Sequence, residues 1–180
     1  MQESNSENFN HLKIHSQFSI CEGAIKIDDL KDISKHKKLK ALGLCDTSNL
    51  CGALEFAEKL SKSGSQPIIG TQINFKLNDT TGLLPLFALN EDGYKTIIKL
   101  SSLSFLKNDE LSDPHLDLNE LLNNNEGVAI FSGTINGLLG QLFNKGKFSE
   151  INEIFSKLKA NYGDRSVSYT HLTLPTISSV

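Results

Sequence analysis

Long apolar runs, paired cysteines and an excess of positive charge are all missing from this chain, and each absence removes a class of function. No stretch of its 180 residues approaches the ~18 consecutive apolar residues of a bilayer span. The N-terminus, MQESNSENFNHLK, lacks the basic-then-apolar order of a secretory signal. A cytoplasmic location with no membrane partner is the expectation. Net charge is −3, whereas a domain that grips nucleic acid alone usually carries a basic excess. The densest basic run, Lys35-His36-Lys37-Lys38 with Lys40, reads as the solvated face of a helix ahead of a DNA-touching patch. The three cysteines, Cys21, Cys45 and Cys51, form no CxxC pair and are odd in number, so reduced thiols fit best. Internal repeats and long linkers are also missing.

What is present is enough apolar residue, 38%, for one ordinary domain with a real core. Residues 12–15 alternate as a strand. Ile27, Leu30, Ile33, Leu39 and Leu42 recur at near-helical spacing and predict a helix from Asp28 to Leu42, with Gly43 as its C-terminal cap. Strands are predicted near residues 43–46 and 67–75, and Cys45 reads as core. Between them Asn49 is the expected cap of a helix whose apolar face is Leu50, Leu54, Ala57 and Leu60. Residues 78–82 read as a turn. The uninterrupted apolar run at residues 83–89 suits a strand buried on both faces, as in a parallel sheet. Helices are expected from Asp92, over 118–122, over 137–143 and from Ile151 to Tyr162, with a strand near 128–132 and a loop over 108–117. Alternating strands and helices imply a parallel α/β sheet or barrel, whose chemistry collects at the C-terminal strand ends. His15, Asp46 and Gln72 fall near such ends.

Five blocks carry a resemblance. His11 to Gly23, HLKIHSQFSICEG, resembles H-L-H-x-H-S-x-Y/F-S-x-x-D-G. Leu44 to Gly52, LCDTSNLCG, resembles I/L-T-D-H-G-N-L/M-x-G. Gln66 to Gly70 resembles K-P-I-x-G, Leu86 to Tyr94 resembles L-L-A-x-N-x-x-G-Y, and Gly127 to Gly133 resembles G-L/V-I/L-x-L/F-S-G. In this order they resemble the N-terminal PHP domain of bacterial DNA polymerase III alpha subunits. The resemblance implies a distorted, incomplete (βα) barrel of the PHP type over residues 11–165, preceded by a polar extension at 1–10. An unrelated α/β binding protein would not carry five such blocks in order.

PHP domains with intact sites are metal-dependent phosphoesterases, in which histidines and carboxylates gather divalent ions that activate water. Matched residue by residue, the implied metal-site positions here are Lys13, His15, Glu22, Asp46, Thr47 and Gln72. Lys13 stands where a histidine is usual and has no free lone pair. His15 and Asp46 are retained, Glu22 replaces aspartate, Thr47 replaces histidine and Gln72 replaces glutamate. Leu83 falls where a histidine often occurs, and Thr134 replaces a cysteine. The expectation is a vestigial site with no catalytic residue and no metal or other cofactor; if an ion is held, its ligands are His15, Glu22 and Asp46. Lys13 could fill the site by pairing with Asp46 or Glu22. Blander roles remain open: a hydrogen-bonded structural His15, an Asp46 that caps the turn following it, a packed His11, and solvated His36 and His115.

Residues 166–180, SVSYTHLTLPTISSV, have no family counterpart and resemble translated adapter or vector sequence, so His171 carries no functional weight. The resemblance implies a module of a DNA-directed DNA polymerase in DNA replication, with a structural or docking role. Its implied partners are the remainder of the alpha subunit, a separate proofreading exonuclease subunit, and DNA through the full-length polymerase. The alternative is an active metal-dependent phosphoesterase or 3'–5' exonuclease with divalent metal.

Overall fold

A computed structural model describes residues 9–109 and 112–167. Helix α1, Ile27–Lys37, carries Asp28 and Asp29 in its first turn and Lys35, His36 and Lys37 in its last, the arrangement that complements the helix dipole. It stops well short of Leu42, because Lys38 turns into the left-handed region at φ 50 and donates its amide to Ser34 and Lys35 carbonyls. Ala41 and Leu42, expected to end the helix, instead open strand β1, Ala41–Thr47, which contains the strand expected near residues 43–46. Burial is continuous along the first six residues of β1, so Leu42 belongs to a strand covered on both faces, while Ile27, Leu30 and Ile33 lie in the helix as expected. Gly43 is therefore no helix cap. It sits inside β1 because a Cβ there would lie 2.2 Å from the Leu12 carbonyl oxygen.

Helix α2, Ala53–Ser63, starts at Gly52 and not at Asn49. Its buried residues are Ala53, Phe56 and Leu60, whereas Leu54 is 71% exposed. Of the expected face Leu60 is buried as expected, whereas Ala53 and Phe56 take the places given to Leu54 and Ala57. Strands β2, Gln66–Leu77, and β3, Thr80–Ala88, form a long hairpin closed by Asn78 and Asp79. Helix α3, Glu91–Leu106, follows, capped by Asn90, whose Oδ1 accepts the Gly93 amide at 2.8 Å. Then come β4, Leu116–Asp117; α4, Leu118–Asn123; β5, Val128–Phe131; α5, Leu138–Asn144; α6, Phe148–Tyr162; and β6, Ser166–Val167. No described helix is long and apolar enough to cross a membrane.

The strands form one mixed sheet in the order β1-β2-β3-β5-β6, with β4 against the far end of β2. The β1/β2 and β5/β6 pairs are parallel; β3 is antiparallel to both β2 and β5. The parallel direction expected for residues 83–89 is thus corrected. Burial on two faces, which an apolar run reports, says nothing of strand direction. Among the described residues the sheet is open and does not close into a barrel. The expected strand at residues 12–15 is an extended segment beside β1 without regular pairing. Residues 168–180, most of the expected foreign tail, lie outside the described residues, while Ser166 and Val167 pair with Ile130 and Phe131.

Two apolar cores flank this sheet. The smaller joins α1, α2 and β1 through Ile27, Leu30, Leu44, Phe56 and Leu60, with Ile14 and Phe18 packed against it. The larger gathers Ile73, Phe75, Leu84 and Leu86 of the hairpin against residues of α3 to α6. Gly93 is required where α3 meets the entry to β5, since a Cβ would fall 1.9 Å from the Gly127 oxygen. Phe75 is fully buried in the larger core and Phe105 is 54% exposed. Phe75→Ala should cost about 3–5 kcal/mol in chemical denaturation. Phe105→Ala should stay within about 0.5 kcal/mol of the wild type in the same measurement.

Candidate functional site

The site is built where the N-terminal segment crosses the end of β1. The His11 carbonyl accepts the Gly43 amide at 2.7 Å, and the Ile14 carbonyl accepts the Cys45 amide at 2.8 Å. The donors are two residues apart and the acceptors three, so one residue of the segment bulges out of the pairing. This bulge is why residues 12–15 form no regular strand. The chain then turns tightly. Ser19 donates its amide to the Ser16 carbonyl, and the Ser19 carbonyl accepts the amides of Glu22 and Gly23. Gly23 is needed here because a Cβ would lie 2.2 Å from the Ser16 oxygen.

Asp46 anchors this turn. The side chain is buried, with 1% exposure. Its Oδ1 accepts the Ser16 amide and the Ser19 hydroxyl, both at 2.6 Å, and its Oδ2 accepts the Ser16 hydroxyl at 2.7 Å. Asp46 therefore caps the turn at Ser16 to Ser19, not the one that follows it in sequence. The following turn is held by Asn49, which accepts the Cys51 amide and donates to the carbonyls of Phe18 and Thr47. Ser16 and Ser19 carry no metal-ligand chemistry and are absent from the expected site. Their S-x-x-S spacing inside the first block is the signal that points to them.

The parallel register sets Thr47 opposite Gln72. Gln72 Nε2 donates to the Thr47 hydroxyl at 2.7 Å, that hydroxyl donates to Glu22, and the Thr47 amide donates to Ser19 Oγ at 3.1 Å. His15 Nδ1 lies 3.9 Å from Glu22 Oε2. Among the described residues two buried atoms, His15 Nδ1 and Gln72 Oε1, have no hydrogen-bond partner. Burial is the main cause that lowers the His15 pKa below its ordinary value; the Lys13 charge adds to this, and Glu22, Asp46 and the Cys45 backbone oppose it. The imidazole is therefore held neutral near neutral pH. The Cys45 thiol is pushed up to about 12 by burial and stays protonated. Cys21 and Cys51 are free and exposed.

Lys13 makes no ion pair with Asp46 or Glu22 among the described residues, which corrects the pairing expected for it. It lines a cavity of about 20 Å³ together with Gln72, Leu83 and Thr134. Four of the positions singled out by the motif reading thus meet at one small cavity. Lys13 also borders a larger cavity of about 390 Å³ beside His11 and Phe131. His11 packs edge-on against Phe9. His36 is exposed, and His115 is half-buried with its Nδ1 2.8 Å from the Asp113 carbonyl, so its expected solvation is only partial. Chemically, three donors occupy three of the about four acceptor sites of the buried Asp46 carboxylate, and one site on Oδ2 is left over. Among the described residues no three His, Cys, Asp or Glu side chains are grouped to hold a metal ion.

The family model described as PHP domain matches residues 11–168. The DNA polymerase III subunit alpha of Caulobacter vibrioides is 33% identical over 178 residues, covering 92% of this chain and 15% of that protein. The DNA polymerase III subunit alpha of Rickettsia felis is 35% identical over 158 residues, covering 87% of this chain and 13% of that protein. The chain thus spans 13–15% of the length of these relatives. A solved amidohydrolase from Chromobacterium violaceum is similar at a TM-score of 0.41 and 16% identity, over 52% of this chain and 34% of that one.

The lowered His15 pKa has a consequence for stability. The unfolded chain takes up this proton more readily than the folded one, so the contribution is present above the ordinary value of 6.5 and is lost as pH falls below it. Denaturation midpoints taken on either side of that value should drop with acid. The drop should be smaller in His15→Gln, and equal drops in the two proteins would contradict the assignment.

Proposed function

Because the chain belongs to the PHP domain family and is homologous to the N-terminal region of DNA polymerase III alpha subunits, we propose that it is the N-terminal PHP module of such a subunit, with a degenerate metal site and a structural or partner-docking role. The observation that carries this reading is the state of Asp46. Its two oxygens accept three donors from Ser16 and Ser19. The other positions of the set are a cation, Lys13, and two neutral groups, Thr47 and Gln72, beside His15 and Glu22. Water activation needs metal ions held by neutral imidazoles and anionic carboxylates with an open position. This donor set does not fit such a centre.

In this reading the open mixed sheet is part of a distorted (βα) barrel of the PHP type. Residues 11–165 are the domain, 1–10 a polar extension and 166–180 a foreign tail. The partners are the remainder of the alpha subunit, a separate proofreading exonuclease subunit, and DNA through the full-length polymerase, in the cytoplasm. DNA-directed DNA polymerase activity belongs to the full-length protein.

A second reading, a metal-dependent phosphoesterase or 3'–5' exonuclease, draws on one observation. Among the described residues the neutral His15 Nδ1 and Gln72 Oε1 are buried without partners, and His15, Glu22 and Asp46 are the residues that would hold an ion. Calorimetric titration with magnesium, manganese and zinc, paired with single-stranded DNA degradation and p-nitrophenyl phosphate hydrolysis, separates the two. The module should show neither micromolar metal affinity nor turnover. Micromolar affinity with turnover abolished by Asp46→Ala would establish the enzyme instead.

A further inference from the structure

We infer that the residues at the degenerate site form a cation-free hydrogen-bonded clasp that fastens the N-terminal segment to the sheet, with Thr47 as its positioning residue. The inference deepens the reading above and rests on its metal-free site.

Thr47 reaches three partners on two elements. Its amide donates to Ser19 Oγ at 3.1 Å, its hydroxyl donates to Glu22, and the same hydroxyl accepts Gln72 Nε2 at 2.7 Å. Ser19 and Glu22 belong to the N-terminal turn, and Gln72 belongs to β2. The Ser19 hydroxyl passes the connection on by donating to Asp46 Oδ1 at 2.6 Å. The chain of bonds therefore runs from β2 through the end of β1 into the turn, and back to β1 at Asp46.

Besides these, the turn is tied by Asn49 Nδ2 donating to the Phe18 carbonyl and by the Gln17 amide donating to the Ile25 carbonyl, and its apolar contacts are few. Gln17, Ile20, Cys21, Glu22 and Ala24 are exposed, and only Phe18 and Ile25 pack against the smaller core. A turn with so few apolar contacts opens at low cost unless polar fasteners close it. Three charge-assisted bonds to Asp46 and the Glu22–Thr47–Gln72 chain are such fasteners. Thr47 suits the role because a hydroxyl both donates and accepts. Gln72 without it keeps only a 3.5 Å contact to Glu22.

Hydrogen–deuterium exchange on the 180-residue chain, with and without a chelator, tests this. The readout is the amides of Ser19, Glu22 and Gly23, which close the turn. Thr47→Val should speed their exchange about tenfold or more and leave the amides of α3 and β5 protected. Thr47→Ser should restore wild-type exchange, and the chelator should change nothing. Glu22→Ala, on an exposed residue that leaves no core cavity, should speed the Glu22 and Gly23 amides even if the valine variant fails to fold. Unchanged exchange in Glu22→Ala and in a folded Thr47→Val would overturn the clasp while leaving the metal-free site standing. Faster exchange of the wild type on chelation alone would overturn both, because a cation would then be the fastener.

Discussion

Asp46 stands at the C-terminal end of β1 with almost none of its surface in water, and a carboxylate so placed must be met by donors. The donors come from one direction only. Ser16 supplies its amide and hydroxyl, and Ser19 supplies its hydroxyl, so residues 16–19 have to fold into a turn directly over the strand end. That requirement shapes the surrounding chain. Gly23 is held against the Ser16 oxygen, Gln17 bonds the Ile25 carbonyl, and the chain leaves the turn aimed into α1. Through Ile27 and Leu30, α1 then closes the smaller core over β1 and α2. A polar contact thus sets the entry angle of an element whose stability comes from apolar packing.

The rest of the sheet is held by a different means. The long β2/β3 hairpin spans both cores, giving Ile69 to the smaller and Ile73, Phe75, Leu84 and Leu86 to the larger. Its outer end meets α6 through Asn78 and Glu150 and through the Asp79–Lys147 pair. At the opposite edge, Arg165 donates to the carbonyls of Asn125 and Val128 and lies over the Tyr162 ring, while Tyr162 donates its hydroxyl to Leu121. Those bonds place Ser166 and Val167 beside β5. The pairing of β6 is thus prepared by residues before it.

Periodicity located α3, α4, α5 and α6, because each has one apolar face against the large core and a polar face in water, as with Ile154, Leu158 and Tyr162. It failed where burial is two-sided. Ala41 and Leu42 lie in a strand covered all round, so they match the spacing of the preceding helix as well as that of a strand. The same ambiguity hid the antiparallel direction of β3. At the site, motif blocks brought His15, Glu22, Asp46, Thr47 and Gln72 to one place, since ordered blocks report strand ends. They did not show what Asp46 bonds, because Ser16 and Ser19 are unremarkable residue types whose role depends on a turn that only forms over the carboxylate.

Lys13 shows why the site settles as it does. An ion pair with Asp46 would require an ammonium to leave water, and the loss of hydration at a buried position costs several kcal/mol for such an ion. Serine hydroxyls and a backbone amide satisfy the same carboxylate without desolvating a second charge. Neutral donors therefore win, and Lys13 stays at the rim of the neighbouring cavities, where its charge still helps hold His15 neutral. The same preference runs through the adjoining positions. Gln72 Nε2 donates to the Thr47 hydroxyl across the parallel register, and that hydroxyl donates in turn to the exposed Glu22. With three donors from the turn on its carboxylate, Asp46 has hydrogen-bond partners without a lysine beside it. Asp46 is thereby the fastening group of the turn, and its removal would be felt first at residues 16–19, whose amide and hydroxyls it holds.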